Sequence, residues 1–98
     1  MRKLTYRPST LKVKEQCIEM SPEKEEYFKH LEKSIEEHPE TGIPKTCLLE
    51  NGKTIQCYEK TTKLFLFSGR IRYERSQLTA QYVFNDDTIF IFNLYFSV

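Results

Sequence analysis

The last stretch of the chain, TIFIFNLYFSV at residues 88–98, is apolar on both alternate sets: Phe90, Phe92, Leu94 and Phe96 on one, Ile89, Ile91, Asn93 and Tyr95 on the other. A strand with one wet face alternates apolar with polar, so this pattern predicts a strand and raises the question of what covers its second side. Everything after PETGIP reads as sheet: a hairpin over 45–58, then TKLFLF, RIRYE, LTAQYVF and the final run. Turn signals fall at Asn51-Gly52, Ser68-Gly69 and Asn85-Asp86-Asp87. The apolar positions change parity on the way, from Ile71 and Tyr73 to Leu78, Ala80, Tyr82 and Phe84. That change places a turn or a β-bulge at residues 74–77.

Ahead of the sheet the period is helical. Tyr27, Phe28, Leu31, Ile35 and His38 fall on one stripe. Ser21-Pro22 supplies a start signal, Glu23, Glu25 and Glu26 suit the positive end of the helix dipole, and Pro39 is a stop. The spacing predicts a helix over 22–38. STLKVKEQCIEMS, with Leu11, Val13, Cys17, Ile18 and Met20, predicts a strand, and residues 1–10 read as a loose arm. The expectation is an α+β fold: one N-terminal amphipathic helix on one face of an antiparallel, meander-like sheet of about five or six strands, in a single domain over 1–98.

Hairpin register decides which residues share a face. A two-residue Asp86-Asp87 turn would set Phe90, Phe92, Leu94 and Phe96 opposite Val83, Gln81, Thr79 and Gln77. A three-residue loop, 85–87, sets them beside Leu78, Ala80, Tyr82 and Phe84, which is apolar throughout. The sequence favours the longer loop, because a one-residue slip turns the apolar set away from the core. With the helix stripe on that face, Val83, Ile89, Ile91 and Tyr95 are left on the far side. There they are either covered by the N-terminal arm or the 45–58 hairpin, or form an exposed patch of the kind that marks protein interfaces. A symmetric homodimer through the same face satisfies the pattern equally.

Composition narrows the picture further. Ninety-eight residues with 39% hydrophobic content, seven Phe and six Tyr make a folded chain with an aromatic core. The net charge of +1 is divided unevenly: +5 over residues 1–14, −6 over 15–40 and +2 over 41–98. A near-neutral chain is poorly suited to salt-driven nucleic-acid binding as a whole. No run approaches the roughly 18 apolar residues of a membrane span, and the basic start is not followed by an apolar secretory core. No membrane association and a cytoplasmic location are expected. Cys17, Cys47 and Cys57 match no metal spacing and read as free thiols. A Cys47–Cys57 bridge is disfavoured in either hairpin register: a two-residue turn puts Cys47 opposite Gln56 and Cys57 on the other face, and a three-residue loop puts Cys47 opposite Ile55 and leaves Cys57 diagonal to it.

In GRIRYER, Arg70 and Arg72 share one side of a strand and Arg75 follows. Paired Arg binds carboxylate or phosphate bidentately, and otherwise serves as a solvated strand face. His30 and His38 lie too far apart on a helix to share a metal, and Asp86 and Asp87 suit turn chemistry. No phosphate loop, nucleophile elbow or metalloprotease motif is present, so no cofactor, no metal and no catalytic residues are assigned. The leading expectation is a non-enzymatic protein-binding module, an inhibitor or regulator acting through its sheet with Arg70, Arg72, Val83, Ile89, Ile91 and Tyr95 as contacts.

IEMSPEKEEYFKHLEKSIEE, followed by LFSGRIRY and DDTIFIF, resembles in order and texture the RelE/ParE superfamily of bacterial toxins, many of which cut messenger RNA on the ribosome. That resemblance covers about half of the chain. It implies, as the alternative, a ribonuclease contacting RNA through Arg70, Arg72 and Arg75, with Tyr82 or Tyr95 near the cut.

Overall fold

A computed structural model describes residues 2–49, 51–68 and 71–97, with the side chains of 63–68, 71–76 and 97 outside that description. The fold is α+β. Strand β1 (Lys3–Tyr6) leads into helix α1 (Pro8–Met20), a short 3₁₀ turn and helix α2 (Glu25–Glu37). Strands β2 (Ile43–Leu48), β3 (Thr54–Ser68), β4 (Ile71–Phe84) and β5 (Thr88–Ser97) follow. The sheet order is β1-β5-β4-β3-β2, with β1 parallel to β5 and the other neighbours antiparallel. Two expectations are corrected: there are two helices, and the sheet is mixed.

The predicted strand over 11–20 is helix α1, and the predicted loose arm holds β1. Pro8 occupies the first turn of α1, where its fixed φ and missing N–H cost nothing. The following residues are mostly good helix formers. Thr10, Lys14, Cys17 and Ile18 face inward at helical spacing, whereas Leu11, Val13 and Met20 are exposed. Of the five strand-like residues three, Leu11, Val13 and Met20, are outward, and the inward stripe that Cys17 and Ile18 join is half polar. β1 gains its order from a non-local partner, pairing Leu4 with Ile89 and Tyr6 with Ile91. A tie then joins it to both helices: the Tyr6 hydroxyl donates to Glu32 at 3.0 Å, and the Lys14 ammonium meets the same carboxylate.

Helix α2 forms as its period predicts, after a 3₁₀ turn at Pro22–Lys24 that is not closed by the Ser21 side chain. Phe28, Leu31 and Ile35 are buried against Leu78, Ala80, Tyr82, Ile89, Ile91 and Leu94. Phe28 also meets Phe96 edge-on at 6.3 Å. After α2, the buried Tyr82 hydroxyl donates to the Pro39 carbonyl at 2.6 Å and fixes the turn leading into β2. Burial, then the charge of Glu40 and the neighbouring Tyr58, pushes the Tyr82 hydroxyl up to about 12. Unfolded tyrosine titrates near 10, so the folded state favours the protonated form. The resulting stability is whole below about pH 10 and is lost as pH rises through 12. Thermal melts should therefore show a fall in Tm across that window, flattened in Tyr82→Phe, which itself costs about 1 kcal/mol at neutral pH.

Two bulges shape the sheet. On β4, Leu64 pairs with Ser76 and Phe65 with Glu74, so Arg75 has no partner, as the parity change at 74–77 predicts. On β5, Tyr82 pairs with Ile91 but Gln81 with Asn93, so Phe92 has none on β4. Its carbonyl instead accepts the Thr10 hydroxyl at 2.7 Å.

Candidate functional site

The second bulge determines what the far face of the sheet carries. Near the turn the hairpin has the register that the sequence disfavours: Phe84 pairs with Ile89, Val83 with Phe90, and the Asn85 N–H donates to the Thr88 carbonyl across Asp86-Asp87. The Asn85 side chain holds this turn by accepting the Asp87 and Thr88 N–H groups. Past the bulge, Ala80 pairs with Leu94 and Leu78 with Phe96. Ile89 and Ile91 are therefore on the helix side and fully buried, and their expected place on the far side is corrected. Phe90 and Phe92 take that place.

On the far face, Cys47, Cys57 and Phe92 form a small buried cluster with Leu49, Ile55 and Val83 packed against it. The β2–β3 hairpin thus covers part of the surplus apolar surface. What stays open is a concavity of about 480 Å³ lined by Leu49, Ile55, Val83, Phe90 and Phe92 together with Arg7 and Asn51. Phe90 is 38% exposed.

The floor of this face includes a cross-strand sulfur pair. Cys47 faces Ile55 and Lys45 faces Cys57, the diagonal arrangement of a three-residue loop. The structure nevertheless joins Cys47 to Cys57 as a disulfide, with Cα atoms 6.4 Å apart. That separation lies within the range disulfides span, so the expectation of three free thiols is corrected. Cys17 is free. Alkylation of unfolded protein without reductant should label one thiol, rising to three after reduction; three labels before reduction would exclude the bridge.

Beside the concavity runs a polar ladder. The Asn93 amide donates to Gln81 at 2.9 Å, Gln81 to Glu59 at 3.4 Å, and the Tyr95 hydroxyl to the same Glu59 oxygen. Lys45 sits 3.7 Å from the other Glu59 oxygen, and Thr61 and Thr79 share a hydrogen bond. The bond to Glu59, then burial, pushes the Tyr95 hydroxyl up to about 12. Tyr95 is thus a hydrogen-bonded phenol at neutral pH, 39% exposed, and its ring is available for contact.

No family model, curated protein or solved structure matches this chain.

Of the residues singled out from sequence, Val83 and Tyr95 are on the far face, while Tyr82, Ile89 and Ile91 are in the helix-side core. Arg70 lies outside the described residues. Arg72 is placed opposite Phe67 and Arg75 at the bulge, by backbone alone. This part of the β3–β4 hairpin runs beyond β5, whose last pairing is Ser97 with Gln77. Leu49, Ile55, Phe90, Phe92 and Glu59 were missed. One signal for the last strand was present: Asn93 interrupts an otherwise apolar alternate set, as expected where a bulge exchanges the faces. Among the described residues, no cluster of His, Cys, Asp or Glu is arranged to hold a metal, and no helix is long and apolar enough to cross a membrane.

Proposed function

We propose that this chain is a non-enzymatic protein-binding module, an inhibitor or regulator of another protein, that works through the far face of its sheet. The observation that carries this reading is the open concavity walled by Val83, Phe90 and Phe92, on a sheet whose helices lie on the other side. The occupant is an apolar side chain of a partner protein. Phe90 supplies the exposed rim, and Tyr95 and Asn93 supply adjacent hydrogen-bonding groups, the mixture of aromatic anchor and polar surround found at binding hot spots. The positions of the tyrosines favour this over a ribonuclease: the Tyr82 hydroxyl is held on the Pro39 carbonyl inside the core, and that of Tyr95 on Glu59.

A random peptide library displayed on phage, selected on the immobilised full chain, should enrich peptides with a Leu, Phe or Trp anchor. Titration of such a peptide into labelled protein should move the amide resonances of Val83, Phe90 and Phe92, and Phe90→Asp should weaken binding at least tenfold. No enrichment, or shifts confined to the helix side, would overturn the reading.

A further inference from the structure

We propose that the protein forms a two-fold dimer in which β2 pairs antiparallel with β2 of a second copy, joining two sheets edge to edge. β2 is the outer strand of the sheet, six residues long, and exposed except at Cys47. The opposite edge, β1, has four residues, of which Leu4, Thr5 and Tyr6 are partly buried. Edge strands in monomeric proteins are usually protected by short length, charged side chains, proline, bulges, inward charges or covering loops. Of these devices β2 has a single proline, Pro44, and a single charge, Lys45, which is turned onto the far face beside Glu59; no bulge interrupts the strand.

The backbone says which groups of β2 are unmatched. Leu49 N–H donates to the Lys53 carbonyl at 2.7 Å, which makes 49 with 53 a bonded pair. Antiparallel ladders alternate bonded and non-bonded pairs, so 47 with 55, 45 with 57 and 43 with 59 are the bonded ones. The C=O groups of residues 44, 46 and 48 and the N–H groups of 46 and 48 then point outward. Pro44 agrees independently, since a residue without an N–H belongs where no ladder bond is required of it.

A two-fold axis at Thr46 makes this row self-complementary. Thr46 N–H meets the partner's Thr46 carbonyl and the reverse, and Leu48 N–H meets the partner's Pro44 carbonyl and the reverse. The missing proline donor removes the bond toward residue 48 once in each copy, leaving four of the six bonds of this row. The same register places Leu48, 73% exposed, beside Pro44 of the second copy, and Ile43, 62% exposed, beside its Leu49. Two large apolar side chains without cover in one copy both gain a neighbour, as an isologous interface requires. The opposed row 44, 46 and 48 carries no charge to resist the approach.

Sedimentation equilibrium on the full chain, from micromolar to millimolar concentration, tests this. The expected mass rises from 11.7 kDa to twice that value, and the amides of Thr46 and Leu48 become protected from hydrogen exchange as it does. Thr46→Pro removes the donor at the axis, and Leu48→Lys sets a charge against Pro44. Either should keep a natively folded chain monomeric, with at least a tenfold rise in the dimer dissociation constant. Leu48→Lys carries the test alone if Thr46→Pro does not fold. Phe90→Asp, which removes the far-face anchor, should leave the dimer intact, so edge and face fail separately. A mass of 11.7 kDa at every concentration, an undiminished dimer in folded Leu48→Lys, or loss of the dimer in Phe90→Asp would overturn the proposal.

Discussion

Ile91→Asp is expected to unfold the protein, and Phe90→Asp to leave it folded, although the two positions are adjacent and both apolar. Ile91 is fully buried between β5 and the Phe28, Leu31 and Ile35 stripe of α2, and pairs with Tyr82 on one side and Tyr6 on the other. A carboxylate there is shut away from solvent inside the apolar cluster. The lost apolar packing and the buried charge together cost more than about 4 kcal/mol, a large share of the 5–15 kcal/mol that holds a small domain together. Phe90 opens onto the far-face concavity, where a carboxylate stays hydrated, and its replacement should cost only about 1 kcal/mol. Circular dichroism with urea titration separates the outcomes. The reverse result, a folded Ile91→Asp and an unfolded Phe90→Asp, would mean that the Phe92 bulge is absent and that the odd-numbered residues face outward.

Gly42→Ala should be the most damaging of the glycine substitutions the structure describes. A β-carbon there would lie 2.4 Å from the Tyr82 hydroxyl oxygen and 3.0 Å from the Tyr58 β-carbon. The oxygen cannot move aside cheaply, because the Tyr82 ring is fully buried, stacked 6.0 Å from Tyr58, and bonded to the Pro39 carbonyl. Overpacking of this kind costs about 2–3 kcal/mol, which is a fall in Tm of roughly 10–20 °C for a chain of this size. Adding Tyr82→Phe should return part of that loss, since it removes the atom in the way. Gly52→Ala is the comparison: its φ of +82 strains an alanine, but nothing lies within 4 Å of the new carbon. About 1 kcal/mol is expected there. Equal losses at the two glycines would show that close approach to Tyr82 is not what Gly42 serves.

The elements differ in how far the sequence foretold them, and in each case the reason is physical. Helix α2 was legible because its apolar stripe is continuous and its start and stop residues are local. Helix α1 was not, since Thr10 and Lys14 face inward for polar reasons, a hydrogen bond to Phe92 and an ion pair with Glu32. The Asn51-Gly52 hairpin followed from its turn, but the sulfur pair did not, because the diagonal register by itself does not fix the 6.4 Å separation of the two Cα atoms. Val83 and Tyr95 were found on the far face from alternation. Phe90 and Phe92 were lost to it at the point where alternation is broken.

Local chemistry in the chain was enough to set the helical stripe of α2, the turn at Asn51-Gly52, and the parity change that the structure resolves as a bulge at Arg75. Only the folded molecule decided which side of β5 faces the helices. A bulge strands one backbone carbonyl, and the group that satisfies the one at Phe92 is the Thr10 hydroxyl, 82 residues away in the chain. The partners that make that register affordable are distant in sequence and meet only in three dimensions, so the wet and dry faces of the last strand are a property of the tertiary structure.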